Sequence, residues 1–95
     1  MEYTEAFNDL SSVLSSLDSD QIQKFLTEIL TEGELKDITL RWIILNDLSR
    51  VVPQRKISED YHTGLCKITR QSATLKNKNG IIRKILRSRY DESSR

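Results

Sequence analysis

The chain has 95 residues, 31% of them charged and 6% aromatic, with one proline, three glycines and one cysteine, which bounds it to one modest domain and excludes an intrachain disulfide framework. Its longest apolar run, Trp42 to Leu45, is too short to span a bilayer, so no membrane role is expected. The net charge of +1 hides a split: residues 1–49 hold ten acidic and three basic side chains, residues 50–95 four acidic and twelve basic.

In chain order, Tyr3, Phe7, Leu10, Leu14 and Leu17 recur at alternating steps of four and three, which predicts a helix from about Tyr3 to Ser16 with a seam that wants a partner helix. Asp18-Ser19-Asp20 breaks that helix and caps the next. Ile22, Phe25, Leu26, Ile29 and Leu30 form the stripe of a second helix, about Asp20 to Leu30. Thr31 and Glu34 have the spacing of a capping box. They open the longest helix, about Glu32 to Val51. Leu35, Ile38, Trp42, Leu45 and Leu48 make one wide face there, which Ile43 and Ile44 widen, and Arg41 sits close to it. A helix apolar over so much of its girth is central.

Pro53 suits the first turn of a fourth helix and forbids its predecessor from continuing through Val52. Ile57 and Tyr61, four apart, give that helix one apolar side. Thr63-Gly64 reads as a tight turn, with Gly64 free to take φ > 0. Beyond it, Leu65, Ile68 and Leu75 predict the buried line of a fifth helix. Asn77 to Gly80 is a turn. Ile81, Ile82, Ile85, Leu86 and Tyr90 line a last helix whose Arg83, Lys84, Arg87 and Arg89 point outward. The expected architecture is all-α: a single helical domain over 1–90, with core helices in 1–51, a helix-turn-helix in 53–76, a C-terminal helix in 79–90 and a frayed tail in 91–95.

Enzymatic chemistry finds no support. His62 and Cys66 are four apart, but a turn lies between them, and neither a third metal ligand nor an orienting group accompanies them. Glu59 and Asp60 are neighbours, so they point apart on a helix. Gly33, Gly64 and Gly80 are too scattered to cradle a phosphate. Glu2 and Glu5 replace the apolar core of a secretory signal, and the single Cys66 agrees with a reducing compartment, so a cytoplasmic location is expected.

DNA binding gathers three independent supports: the helix-turn-helix pattern, the basic half that contains it, and the side chains it presents. Gln54, Arg55 and Lys56 open the fourth helix, where side chains and orphan N–H groups meet phosphates. Arg55 could also grip a guanine edge. Lys67, Thr69 and Lys76 fall on outward positions of the fifth helix. With Gly64, Leu65 and Cys66 at its start, they complete the expected DNA-facing set. Singly, each basic residue reads first as a solvated surface charge; the DNA reading rests on them together.

The spacing of Leu30-Thr31, Arg41, Gln54-Arg55, Gly64 and Ile68-Thr69-Arg70-x-Ser72-x-Thr74-Leu75-Lys76 resembles the tryptophan repressor family. That family carries an LT pair, an arginine in its third helix, a QR pair opening the reader, and ITRGSNSLK in its recognition helix. The resemblance covers about residues 30–76. It implies an intertwined, six-helix homodimer that represses transcription from a palindromic operator, with L-tryptophan or an analogue as corepressor. On that resemblance Arg41 and Arg70 would sandwich the ligand ring, and Arg70 would hold its carboxylate. Leu30 and Thr31 of the other subunit would hold the amino acid, Ile44 and Leu45 would line the slot, and Thr74 would meet the amino group. Gln71 stands where the family has a glycine, Lys67 replaces a threonine and Ser58 a lysine, and one residue is missing before the fourth helix. Two alternatives stand beside this: a constitutive DNA binder in which Gln71 fills the slot, and a helical interaction module using the basic last helix. Arg41 and Arg70 could also pair with an acid such as Glu34.

Overall fold

A computed structural model describes residues 1–91, Asp91 through its backbone alone; of the frayed tail expected over 91–95, Asp91 instead closes the last helix, and residues 92–95 lie outside the described residues. The order is α1 (Tyr3–Ser15), α2 (Ser19–Ile29), α3 (Glu32–Ser49), α4 (Gln54–Tyr61), α5 (Leu65–Lys76) and α6 (Ile81–Asp91), with no strand among the described residues. All six helices stand where the sequence places them, so the all-α reading holds. The contacts gather into two units, 1–36 and 37 onward.

In the first unit the caps are local and complete. The Asp18 carboxylate accepts from the Gln21 N–H at 2.9 Å while Gln21 Oε1 accepts from the Asp18 N–H at 3.1 Å. Asp18 is therefore the cap, and α2 begins at Ser19. The Thr31–Glu34 box forms as predicted: the Thr31 N–H donates to Glu34 Oε1 at 2.8 Å and the Glu34 N–H to Thr31 Oγ1 at 3.1 Å. The Thr31 N–H first, and the Thr31 hydroxyl second, hold the Glu34 carboxyl below its ordinary value. Neither α1 nor α2 buries a residue. Leu10, Leu14 and Leu17 of the seam are half-buried, whereas Tyr3 and Phe7 are exposed. Ile29, expected in the stripe of α2, is exposed as well.

The second unit closes a core. Ile44 of α3, Ile57 of α4 and Ile68 of α5 are each at most 1% exposed and pack together, flanked by Leu40, Leu48 and Val52. Each such side chain contributes roughly 1.5–3 kcal/mol. Of the wide face expected on α3, Ile44 and Leu45 are buried, while Ile38 and Trp42 remain exposed. On α5 the buried pair is Ile68 and Gln71, Leu75 is half-buried, and Leu65, expected in the buried line, is 55% exposed. Helical rotation of 100° per residue explains it: Ile68, Gln71 and Leu75 share a side that Leu65 leaves.

Both turns around α4 rest on left-handed residues that are not glycine. The third helix stops at Ser49, two residues short of expectation. Val51 takes φ 62°, its N–H bonds to Leu48 O, and the Val52 N–H bonds to Asp47 O. This is a Schellman close with a β-branched residue where glycine is preferred. Pro53 takes the cap position before α4, not its first helical turn. At the far end His62 takes φ 51°, and the Thr63 N–H reaches Ser58 O. Gly64, expected to supply the positive φ, has φ −71° and caps α5 instead. The left-handed position falls two residues upstream of Gly64, directly after the last helical residue, Tyr61.

Side chains of Tyr61, Arg89 and Tyr90 tie α3 to α4 and α6. Tyr61 of α4 donates its hydroxyl to Asp47, which raises the phenol above its ordinary value. Arg89 of α6 lies 5.4 Å from the centre of the Trp42 ring and donates to Asn46 Oδ1 at 3.0 Å, and the Tyr90 hydroxyl donates to the same oxygen. Leu86 is the buried anchor of α6; Ile81 and Ile85, expected beside it, are exposed. Arg83 is half-buried, not outward, and donates to Leu75 O at 3.4 Å.

Candidate nucleic-acid reader and the pocket behind it

The sequence Gln54–Lys76 folds as a helix, a sharp turn and a helix, fastened by Ile57 against Ile68 and against Ile44 of the third helix. Gln54, Arg55 and Lys56 stand exposed at the start of α4, beside its free N–H groups. Arg55 lies 3.9 Å from Glu59 and Lys56 3.8 Å from Asp60, both on the surface. Such pairs contribute little and exchange readily for a phosphate. His62 and Cys66 are both exposed, and no group of three His, Cys, Asp or Glu side chains among the described residues could hold a metal.

The residues expected to face DNA on α5 divide between two sides of the helix. Leu65, Cys66 and Thr69 are exposed on one side. Lys76, also exposed, borders a cleft of about 480 Å³ with Ser72, Arg83, Arg87 and Tyr90. Lys67, two residues from Thr69, points to the opposite side. There it lines a pocket of about 120 Å³ between α3 and α5 with Asp37, Leu40, Arg41, Ile44, Arg70 and Gln71. Gly64 is exposed at the cap.

That pocket assembles Arg41, Ile44, Arg70 and Gln71 of the expected ligand set. Leu45 is buried outside its walls. The Thr74 hydroxyl turns back to Arg70 O at 3.3 Å. Leu30 and Thr31 belong to the first unit, where the Thr31 hydroxyl serves the cap. Neither Arg41 nor Arg70 forms an ion pair among the described residues. Asp37 and Leu40 escaped the sequence reading, and Lys67 was expected at the DNA and not at this pocket. Their signal was helical spacing: Asp37 and Leu40 share a side with Arg41 and Ile44, and Lys67 precedes Arg70 by three.

No helix among the described residues is long and apolar enough to cross a membrane. No solved structure matches the chain. A "Trp operon repressor homolog" of Vibrio parahaemolyticus is 37% identical over 79 residues, covering 82% of this chain and 77% of the relative. A protein of the same description from Vibrio campbellii is 35% identical over 79 residues, covering 82% and 79%. The profile of the family described as Trp repressor protein matches residues 5–90, six helices from the amino-terminal seam to the last turn of α6, and the chain belongs to that family.

Proposed function

We propose that this chain is a sequence-specific, DNA-binding transcriptional repressor and not an enzyme, working in the cytoplasm as an intertwined homodimer on a palindromic operator. The observation that carries it is the α4–α5 pair, whose inner sides share one isoleucine core while Gln54, Arg55, Lys56, Thr69 and Lys76 stay exposed. The start of α4 would take phosphates on its cations and free N–H groups. Exposed residues of α5 would meet base edges. Two copies would present two readers, and the half-buried seam of α1 is the apolar surface such a dimer needs covered. The relatives' name, the family and the basic half of the sequence support the same reading.

A ligand wedged between α3 and α5 would set the orientation of the reader, shifting the population of competent dimers. Arg41 and Arg70 border that place and could stack on an aromatic ring. Within one chain the pocket is about 120 Å³, and Gln71, 7% exposed, stands in its wall where the family has a glycine. Gln71 thus favours a second reading, constitutive DNA binding without tryptophan.

Selection of bound duplexes from a random pool, with and without L-tryptophan, tests both. A two-fold symmetric site, with affinity falling steeply as salt rises, supports the repressor. Binding that survives high salt, or occurs only with a protein partner, refutes it. Operator affinity indifferent to L-tryptophan selects the constitutive form.

A further inference from the structure

The wall of the α3–α5 pocket carries three cations, Arg41, Lys67 and Arg70, against one carboxylate, Asp37. On α3 Lys36 lies near Glu32, and on α4 Arg55 lies near Glu59 and Lys56 near Asp60, each pair four residues apart on the surface. The three pocket cations have no ion-pair partner among the described residues. Like charges gathered around a concavity raise its positive potential, a cost that a bound anion removes. Gln71 adds an uncharged amide with two N–H donors, in a position 7% exposed. The space is small, and a compact ligand is what it admits.

We propose that this pocket binds a compact, doubly charged oxyanion, a phosphate group or a small dicarboxylate, held by Arg41, Lys67 and Arg70 with Gln71 donating from the wall. The inference rests on the reading that this pocket governs the reader. Bridging α3 to α5, the anion would fix the reader against the core. Arginine and lysine suit it because charge-assisted bonds to an oxyanion are short and strong.

The test uses the full chain, melted in increasing sodium phosphate or sodium succinate, with sodium chloride at matched ionic strength as control. The expected result is a saturable rise in midpoint for at least one of the two anions, which L-tryptophan does not reproduce. Lys67→Met, at an exposed position, is expected to weaken that binding about tenfold, the effect of one charge-assisted hydrogen bond. Lys84→Met, on exposed α6, should leave it unchanged. No saturable rise with either anion overturns the proposal, as does a rise equal in the wild type and Lys67→Met. Duplex binding is measured on the same samples. If Lys67→Met weakens duplex binding and lowers its salt slope by about one, while free anions have no effect, the pocket takes a DNA phosphate and the free ligand is refuted. Lys67-dependent anion binding without any duplex binding would sustain the pocket and refute the repressor; duplex binding without anion binding would do the reverse.

Discussion

The two units of this chain use amphipathic helices to different ends. In the second, three isoleucines on three helices exclude water from one another within a single chain. In the first, an apolar seam of the same regularity leaves every residue of α1 and α2 at least partly exposed. The first unit also holds eight acidic and two basic side chains, whereas the core-bearing unit is rich in cations. An amphipathic stripe is a demand for a partner surface, and periodicity does not reveal whether the chain itself meets it.

Core truncation should separate the units most sharply. Ile68→Ala is expected to cost about 2–5 kcal/mol at every protein concentration, read by thermal or urea unfolding, because it opens a cavity in a closed core. Leu14→Ala should act otherwise. If the seam is covered in a homodimer, the wild-type melting midpoint rises with protein concentration and Leu14→Ala abolishes most of that dependence. A midpoint independent of concentration in the wild type would remove the dimer from the comparison.

The next effect contrasts two turn residues. Val51 is β-branched and left-handed at φ 62°, so Val51→Gly should stabilise by about 1 kcal/mol, relieved strain outweighing the added chain entropy. Gly64 has a negative φ and an added Cβ would touch nothing within 4 Å. Gly64→Ala should therefore be neutral or stabilising by up to about 1 kcal/mol, in the same unfolding assay. A large loss there would show that the turn needs glycine after all.

Smallest are the pH effects, one in each unit. Glu34 has a folded pKa below its unfolded one, so its contribution is present above the ordinary carboxylate range and fades as pH falls through the lowered value. Tyr61 is the opposite case. Its folded pKa is raised chiefly by the hydrogen bond to Asp47, so its contribution is present below about pH 10 and is lost as pH rises through the raised value. Glu34→Gln should flatten the acid limb of a stability-versus-pH curve and Tyr61→Phe the alkaline limb. Limbs unchanged in these variants would show that neither bond is kept in solution.

Local chemistry was legible in the residues. Helix existence follows from periodicity because each turn closes within four residues. The Thr31–Glu34 box follows from spacing because both partners lie on one turn. The helix-turn-helix was legible for the same reason. What tertiary structure alone decided is which side of each wide apolar surface meets another helix. It buried Ile44 and left Ile38 and Trp42 exposed, brought Gln71 inward and Leu65 out, and gave the left-handed turn to His62 while Gly64 stayed extended. It also set Lys67 beside Arg41 and Arg70, twenty-six residues and more from the third helix's arginine. Such choices depend on neighbours remote in sequence, and a period of 3.6 residues carries no information about them.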